Sequence, residues 1–132
     1  MRDPNNPSLF CNVRDTGSNH ENELAYASYD SYPVSKLHCL IIPKRHIKDY
    51  FDLTKEELVA CNSLVRIVKD EILKKDETVK GFNLGTNIGK VSGQSIMHCH
   101  FHLIPRRDGD VENPQGGVRS VIPNKQHYSR KI

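Results

Sequence analysis

An α+β fold, with an antiparallel sheet packed on one long helix, is what this sequence predicts, and two observations carry the prediction. Apolar residues alternate with polar ones in several short runs bounded by Pro, Gly and Asp, the pattern of half-buried strands. From Thr54 to about Lys75 the apolar spacing becomes that of a helix, and afterwards it changes back. The coarse order is strand, strand, helix, strand, strand, and neighbouring strands lie close enough in sequence to pair antiparallel. With 132 residues the chain has the size of one domain. Residues 1–8 read as a polar, flexible tail rich in Pro and Asn. Residues 9–132 read as the domain, its Gly- and Pro-rich C-terminal tail docked on the body through Val118, Val121 and Ile122.

Each element has a local cause. Residues 23–29, Glu-Leu-Ala-Tyr-Ala-Ser-Tyr, form the first strand, and Asp30-Ser31-Tyr32-Pro33 is the turn that ends it. Residues 37–42, Leu-His-Cys-Leu-Ile-Ile, form the second, stopped by Pro43, which has no amide hydrogen to give a ladder. Thr54-Lys55-Glu56-Glu57 is a capping box: the threonine hydroxyl accepts from an N-terminal amide, and Glu57 reaches back. Leu58, Cys61, Leu64, Val65, Val68 and Ile72 then mark one apolar stripe, and Lys74 and Lys75 suit the negative end of the helix dipole. Residues 81–87 are a strand weakened by glycine, and a loop runs from Ile88 to Gly93. Residues 97–104 are the last strand, ended by Pro105.

Composition excludes several classes. Apolar residues are 36% and charged residues 27% of the chain, an ordinary globular balance, and no apolar run approaches the ~20 residues a membrane helix needs. Neither a secretory leader nor an anchor is visible, so the expected location is cytoplasmic. A net charge of +3, with no dense Lys/Arg block, suits a small anion better than nucleic acid. Cys11, Cys39, Cys61 and Cys99 form no Cys-x-x-Cys pair and fit buried free thiols rather than a disulfide framework.

The chemistry concentrates at one place. His98, His100 and His102 alternate with Cys99, Phe101 and Leu103, so on a strand the three imidazoles share one face and the apolar residues the other. Three titratable rings in register on a buried-type strand are costly unless paired or used. One use is a metal site, with two histidines of the trio as ligands. The ends of the trio lie ~13 Å apart at strand rise, too far to share an ion, and no Asp or Glu is near in sequence to complete the set. His46 and Cys11 are the candidates from farther away. The other use is nucleophilic catalysis. A neutral imidazole can attack phosphorus without first losing a proton, and the phosphorus–nitrogen bond it forms is labile to water. The residues leading into the strand favour the second use: Asn87, Gly89, Gly93, Gln94 and Ser95 combine backbone freedom with polar donors, as a phosphate cradle requires.

His98-Cys99-His100-Phe101-His102-Leu103-Ile104 resembles the signature of the histidine-triad (HIT) family, three histidines alternating with apolar residues and followed by two more. Asn87-Ile88-Gly89-Lys90-Val91-Ser92-Gly93-Gln94-Ser95 is similar to the loop that precedes it there. Tyr29-Asp30 and His38-Cys39-Leu40-Ile41-Ile42-Pro43-Lys44-Arg45-His46 look like an upstream block of the same family. The tail from Gly116 to Pro123 is similar to that of small microbial members described as dinucleoside polyphosphate hydrolases. The resemblance implies a HIT-like α+β fold whose sheet continues across a homodimer. It also implies cleavage at the α-phosphate of a nucleotide through a nucleotidyl-histidine intermediate.

By matching position, His100 is the expected nucleophile, His98 helps fix its ring, and His102 contacts the phosphate. Asp30 would bind the ribose hydroxyls. Asn87, Gly93, Gln94 and Ser95 would line the phosphate, Leu9 and Phe10 the base, and His38 would support. The substrate expected is a purine nucleotide, adenosine for preference, with a polyphosphate leaving group as in diadenosine tetraphosphate. No cofactor is required, and a divalent cation such as magnesium would enter only with a polyphosphate. Three alternatives stay open: a purine nucleoside phosphoramidase, a nucleotide-binding interaction protein with little catalysis, and a metalloenzyme using two of the histidines. Two departures from the family pattern matter. Lys36-Leu37 stands where Pro-Gly often precedes His38, so the turn there is expected to differ. Ser8 stands at the first cysteine position of the zinc-holding members, leaving Cys11, His46 and His98, so no structural zinc is expected.

Overall fold

A computed structural model describes Phe10 and residues 20–129 of the chain, so the predicted tail at 1–8, Leu9 and Cys11 lie outside the described residues. The sheet has five strands, β1 (His20–Glu21), β2 (Ala25–Tyr29), β3 (Cys39–Pro43), β4 (Val79–Gly85) and β5 (Phe101–Arg107), in the order β1-β2-β3-β5-β4. Every neighbouring pair is antiparallel. Among the described residues one long helix, α1 (Lys55–Lys75), crosses between β3 and β4 and covers one face.

Alternation along each strand sorts the side chains into two layers. Ala25, Ala27, Cys39, Ile41, Cys99, Phe101 and Leu103 turn toward α1 and meet Cys61, Leu64, Val68 and Ile72. Tyr26, Leu40 and Ile42 turn the other way and form a smaller cluster with Phe10, edged by Ile96. This second face also carries the histidines, so the histidine face is walled by its own apolar patch.

Several boundaries differ from the sequence expectation, each for a visible reason. β1 was not anticipated. It is two residues long, and the Asn22 carboxamide makes the turn into β2 by accepting from the amides of Leu24 and Ala25 at 3.1 and 2.9 Å. β4 spans Val79–Gly85 rather than 81–87, with an irregularity between Val79 and Gly81. β5 starts at Phe101 rather than 97 because the Cys99 amide bonds to the Ile47 carbonyl, outside the ladder, at 2.8 Å. Pro105 lies inside β5 rather than ending it. β3 has no partner beyond Cys39↔Leu103, so no ladder group waits for a proline amide there, and the Pro105 carbonyl accepts instead from Ser35 Oγ at 2.8 Å.

α1 begins as the capping box prescribes: the Glu57 amide donates to Thr54 Oγ1 at 3.1 Å, and the Thr54 amide to Glu57 Oε1 at 2.9 Å. Its buried face is Glu57, Cys61, Leu64, Val68 and Ile72, so Leu58 lies off the stripe assigned to it and is exposed. Glu57 can be buried because Arg45 binds both its oxygens, at 3.0 and 2.8 Å. These bonds, with those from Thr54, outweigh desolvation and pull the Glu57 carboxyl from 4.5 down to about 2. A depressed carboxylate pKa stabilises the fold in full above the ordinary value and loses that contribution as pH falls through the depressed one. Stability measured by urea unfolding is therefore expected to decline as pH falls from 4.5 toward 2, with Glu57→Gln removing part of the decline. Thr54→Ala is expected to cost about 1 kcal/mol at neutral pH.

Candidate active site

His98, His100 and His102 emerge on the face opposite α1, as alternation with the buried Cys99, Phe101 and Leu103 demands. Their ring partners differ. His98 is fully buried, and its Nε2 donates to the Pro43 carbonyl at 2.8 Å. Burial, chiefly, holds its pKa below the ordinary imidazole range. The His46 ring lies 4.9 Å from it, centre to centre, and donates through Nε2 to the Met97 carbonyl at 3.0 Å.

His100 is half-buried, and its Nδ1 meets the His98 carbonyl at 2.8 Å. A carbonyl only accepts, so Nδ1 carries the ring hydrogen and the Nε2 lone pair is free of it in the neutral ring. The backbone of residue 98, rather than its imidazole, therefore orients His100. The Phe10 ring stands edge-on to both His98 and His100, at 5.9 and 5.3 Å, and the Phe10 carbonyl accepts from the buried Tyr26 hydroxyl at 2.6 Å. Phe10 thus forms an apolar wall at the expected base side, while Leu9 falls outside the described residues.

The His102 ring lies 5.3 Å from His100, and its Nδ1 is 2.9 Å from His38 Nε2. Burial first, then the neighbouring histidines, lowers the His102 pKa to about 4. His38 is buried, and its pKa is lowered for the same first reason. Asp30 Oδ2 is 3.5 Å from His38 Nε2, and Asp30 Oδ1 accepts from the Tyr32 amide at 2.9 Å. Asp30, His38 and His102 each offer a ligand atom within 4.8 Å of the others, a grouping that sequence spacing did not reveal.

The cradle is built as a tight turn. Gly89 and Gly93 bracket a 3-10 turn at Lys90–Ser92 and have φ of 87° and 94°, values that favour glycine. Gln94 was expected to line the phosphate, but it is buried and occupied. Its Oε1 accepts from the Gly89 amide at 2.9 Å, and its Nε2 donates to the carbonyls of Lys48 and Ile96 at 2.7 and 3.1 Å. It shapes the turn instead. Asn87 Nδ2 lies 4.0 Å from where a Cβ on Gly93 would stand, so these two come together, and Ser95, two residues on, is exposed. Sequence reading missed Thr86, whose hydroxyl donates to the His100 carbonyl at 2.7 Å and pins the histidine segment. Its place next to Asn87 was the available signal.

The missing glycine at position 37 does not force the backbone out of the left-handed region. Leu37 adopts φ 74° itself, with its side chain packed against the α1-side core. That conformation costs a leucine ~1–2 kcal/mol. Leu37→Gly loses packing but sheds this strain, whereas Leu37→Ala loses packing and keeps it. The glycine variant is expected to be the more stable by ~1 kcal/mol in urea unfolding, the reverse of the usual loop order.

A cavity of about 600 Å³ opens beyond His102 and Asn87, walled by Val34, Leu84, Ile104, Val118 and Val121. Among the described residues Arg106 is the one lysine or arginine on its lining, and it is paired with Asp110 at 2.8 Å. The C-terminal segment reaches this wall closely: a Cβ on Gly117 would stand 3.4 Å from Asn83 Nδ2.

The HIT domain model matches residues 15–109, which include the cradle, the histidines and Asp30. The chain belongs to the HIT family. An uncharacterized HIT-like protein of Methanocaldococcus jannaschii is 39% identical over 104 residues, 77% of this chain and 78% of its own length. A hypothetical histidine triad nucleotide-binding protein of Sulfolobus tokodaii has the same fold, with a TM-score of 0.67 and 35% identity, covering 76% of this chain and 70% of that one. An adenylylsulfatase of Arabidopsis thaliana is 34% identical over 91 residues, 69% of this HIT chain and 46% of the plant protein. Among the described residues, no helix is long and apolar enough to cross a membrane.

Proposed function

We propose that this HIT protein is a nucleotide hydrolase that cleaves at the α-phosphate of a dinucleoside polyphosphate or similar purine nucleotide through a nucleotidyl-histidine intermediate on His100. The observation that carries the reading is the 2.8 Å contact between His100 Nδ1 and the His98 carbonyl, beside a glycine-bracketed turn. It puts the ring hydrogen on Nδ1, so that in the neutral ring Nε2 carries the lone pair that attacks.

In the first step Nε2 bonds to phosphorus as the bond to the leaving group breaks, and the leaving group departs with the electron pair. His100 becomes a nucleotidyl-imidazolium whose charge strengthens the Nδ1–H bond to the His98 carbonyl, so the contact favours the intermediate over the resting ring. Water then attacks phosphorus, the phosphorus–nitrogen bond breaks, its electrons restore the neutral ring, and the water proton leaves to solvent. Asp30 holds the ribose, the Asn87–Gly93 cradle and His102 hold phosphate oxygens, and Phe10 flanks the base. The product is a nucleoside monophosphate, and the ring chemistry needs no metal. The adenylylsulfatase relative supports an adenylyl group as the part retained on the enzyme.

One observation favours a second leaving group, the amine of a nucleoside phosphoramidate. The cavity beyond His102 has mostly apolar walls, and its arginine is already paired, which suits an uncharged body better than a polyphosphate. β4 is one of the two edge strands of the sheet and much the longer, with Leu84 half exposed, and we assign to it the pairing with a second copy in a homodimer.

The test is one purified sample assayed against adenosine and guanosine polyphosphates and phosphoramidates, with and without a chelator. Turnover that survives chelation, and a loss of at least about 10³-fold in His100→Ala with an unchanged circular dichroism spectrum, are expected. Near-normal hydrolysis by His100→Ala sinks the assignment of the nucleophile.

A further inference from the structure

We infer that the segment Val34–His38 is a tautomer clamp: it fixes His38 as a donor through Nε2 and so makes His102 present an N–H, not a lone pair, to the reacting phosphate. The link to phosphate rests on the function proposed above, whereas the tautomers follow from hydrogen bonding alone.

The chain of donors starts at the backbone. The Val34 amide lies 3.1 Å from His38 Nδ1, and an amide N–H can only donate. His38 Nδ1 therefore carries a lone pair, and the neutral ring holds its hydrogen on Nε2. That nitrogen faces two acceptors, His102 Nδ1 at 2.9 Å and Asp30 Oδ2 at 3.5 Å. His102 Nδ1 thus carries a lone pair too, and the remaining hydrogen of neutral His102 sits on Nε2. The reverse arrangement would put a hydrogen on His38 Nδ1, against the Val34 amide. A protonated His38 meets the same clash, and burial lowers the pKa of both rings, which favours their neutral forms. The same bonding opposes a metal among Asp30, His38 and His102, because His38 could ligate through Nε2 only by surrendering that hydrogen.

The segment is fastened on every side. Ser35 Oγ donates to the Pro105 carbonyl at 2.8 Å, and the His38 amide to the Ser35 carbonyl at 3.1 Å. Arg107 holds the Lys36 carbonyl at 2.9 Å while paired with Asp76 at 3.0 Å. Leu37, left-handed with its partly buried side chain packed against the core, closes the turn. The result is a matched pair of rings. A backbone carbonyl, at His98, puts the hydrogen of His100 on Nδ1, and a backbone amide, at Val34, leaves the hydrogen of His102 on Nε2 through His38. Attack and hydrogen-bond donation are assigned to neighbouring rings by main-chain groups of opposite polarity. His38 is accordingly a positioning residue, acting through His102.

The experiment is ring-15N histidine NMR on the full chain, in which one- and two-bond couplings report which nitrogen bears hydrogen. Expected is an unprotonated Nδ1 and protonated Nε2 for both His38 and His102, and the opposite for His100. His38→Gln, whose amide N–H can still donate to His102 Nδ1, is expected to hold the His102 tautomer and recover most of the kcat that His38→Leu loses. The leucine variant is expected to show mixed His102 tautomers and a 10- to 100-fold lower kcat at little changed KM. A wild-type His102 with its hydrogen on Nδ1, or a leucine variant with wild-type tautomer and rate, overturns the clamp. If the wild-type tautomers stand as stated and none of the nucleotides is hydrolysed, the clamp holds and the function proposed above fails.

Discussion

Burial of Cys99, Phe101 and Leu103 beneath α1 is the constraint on which the rest of the site depends. Fully burying a leucine or phenylalanine is worth ~1.5–3 kcal/mol each, and a one-residue slip of this segment would exchange these side chains for imidazoles. Rings without partners in an apolar core would cost several kcal/mol more. The register is therefore held by ordinary packing, and the position of the three imidazoles follows from it. The helix contributes no reactive group. Its part is to make one face of the segment so apolar that the other face is determined.

Main-chain groups then decide what each ring can do. The Pro43 carbonyl takes the His98 ring, the His98 carbonyl takes His100, and Thr86 pins the carbonyl of His100 itself. Such partners are rigid and do not titrate, so they set ring orientation independently of pH. Burial adds the second condition, holding His98, His38 and His102 below the ordinary imidazole pKa. An attack by a neutral ring on an anionic phosphate benefits from neighbours that donate hydrogen bonds without competing as nucleophiles.

Much of this was legible in the sequence where a periodicity or a short-range motif recorded it. The capping box at Thr54 and Glu57, the alternation from His98 to Leu103 and the glycines at 89 and 93 each state a local requirement that few structures other than the observed one satisfy. What escaped notice depended on partners distant in sequence. Pro105 reads as a stop until it is seen that β3 has already ended beside it. Gln94 reads as a ligand until its carboxamide is found tied to Lys48, 46 residues away. The pairing of His38 with His102 spans 64 residues, and the Val34 amide carries no side-chain signal at all. Leu37 is the instructive case: a residue ill suited to a left-handed turn occupies one, because packing in the core and the bonds on either side over-determine it.

The central claim is that His100, and neither flanking histidine, bonds to phosphorus during turnover. Rapid quenching into alkali, which preserves phosphorus–nitrogen bonds, followed by peptide mapping of the enzyme caught in turnover tests it directly. The account predicts one nucleoside monophosphate on the peptide that carries His100, localised to that residue, and none in His100→Ala. Turnover with no adduct, or an adduct localised to His98 or His102, would contradict it.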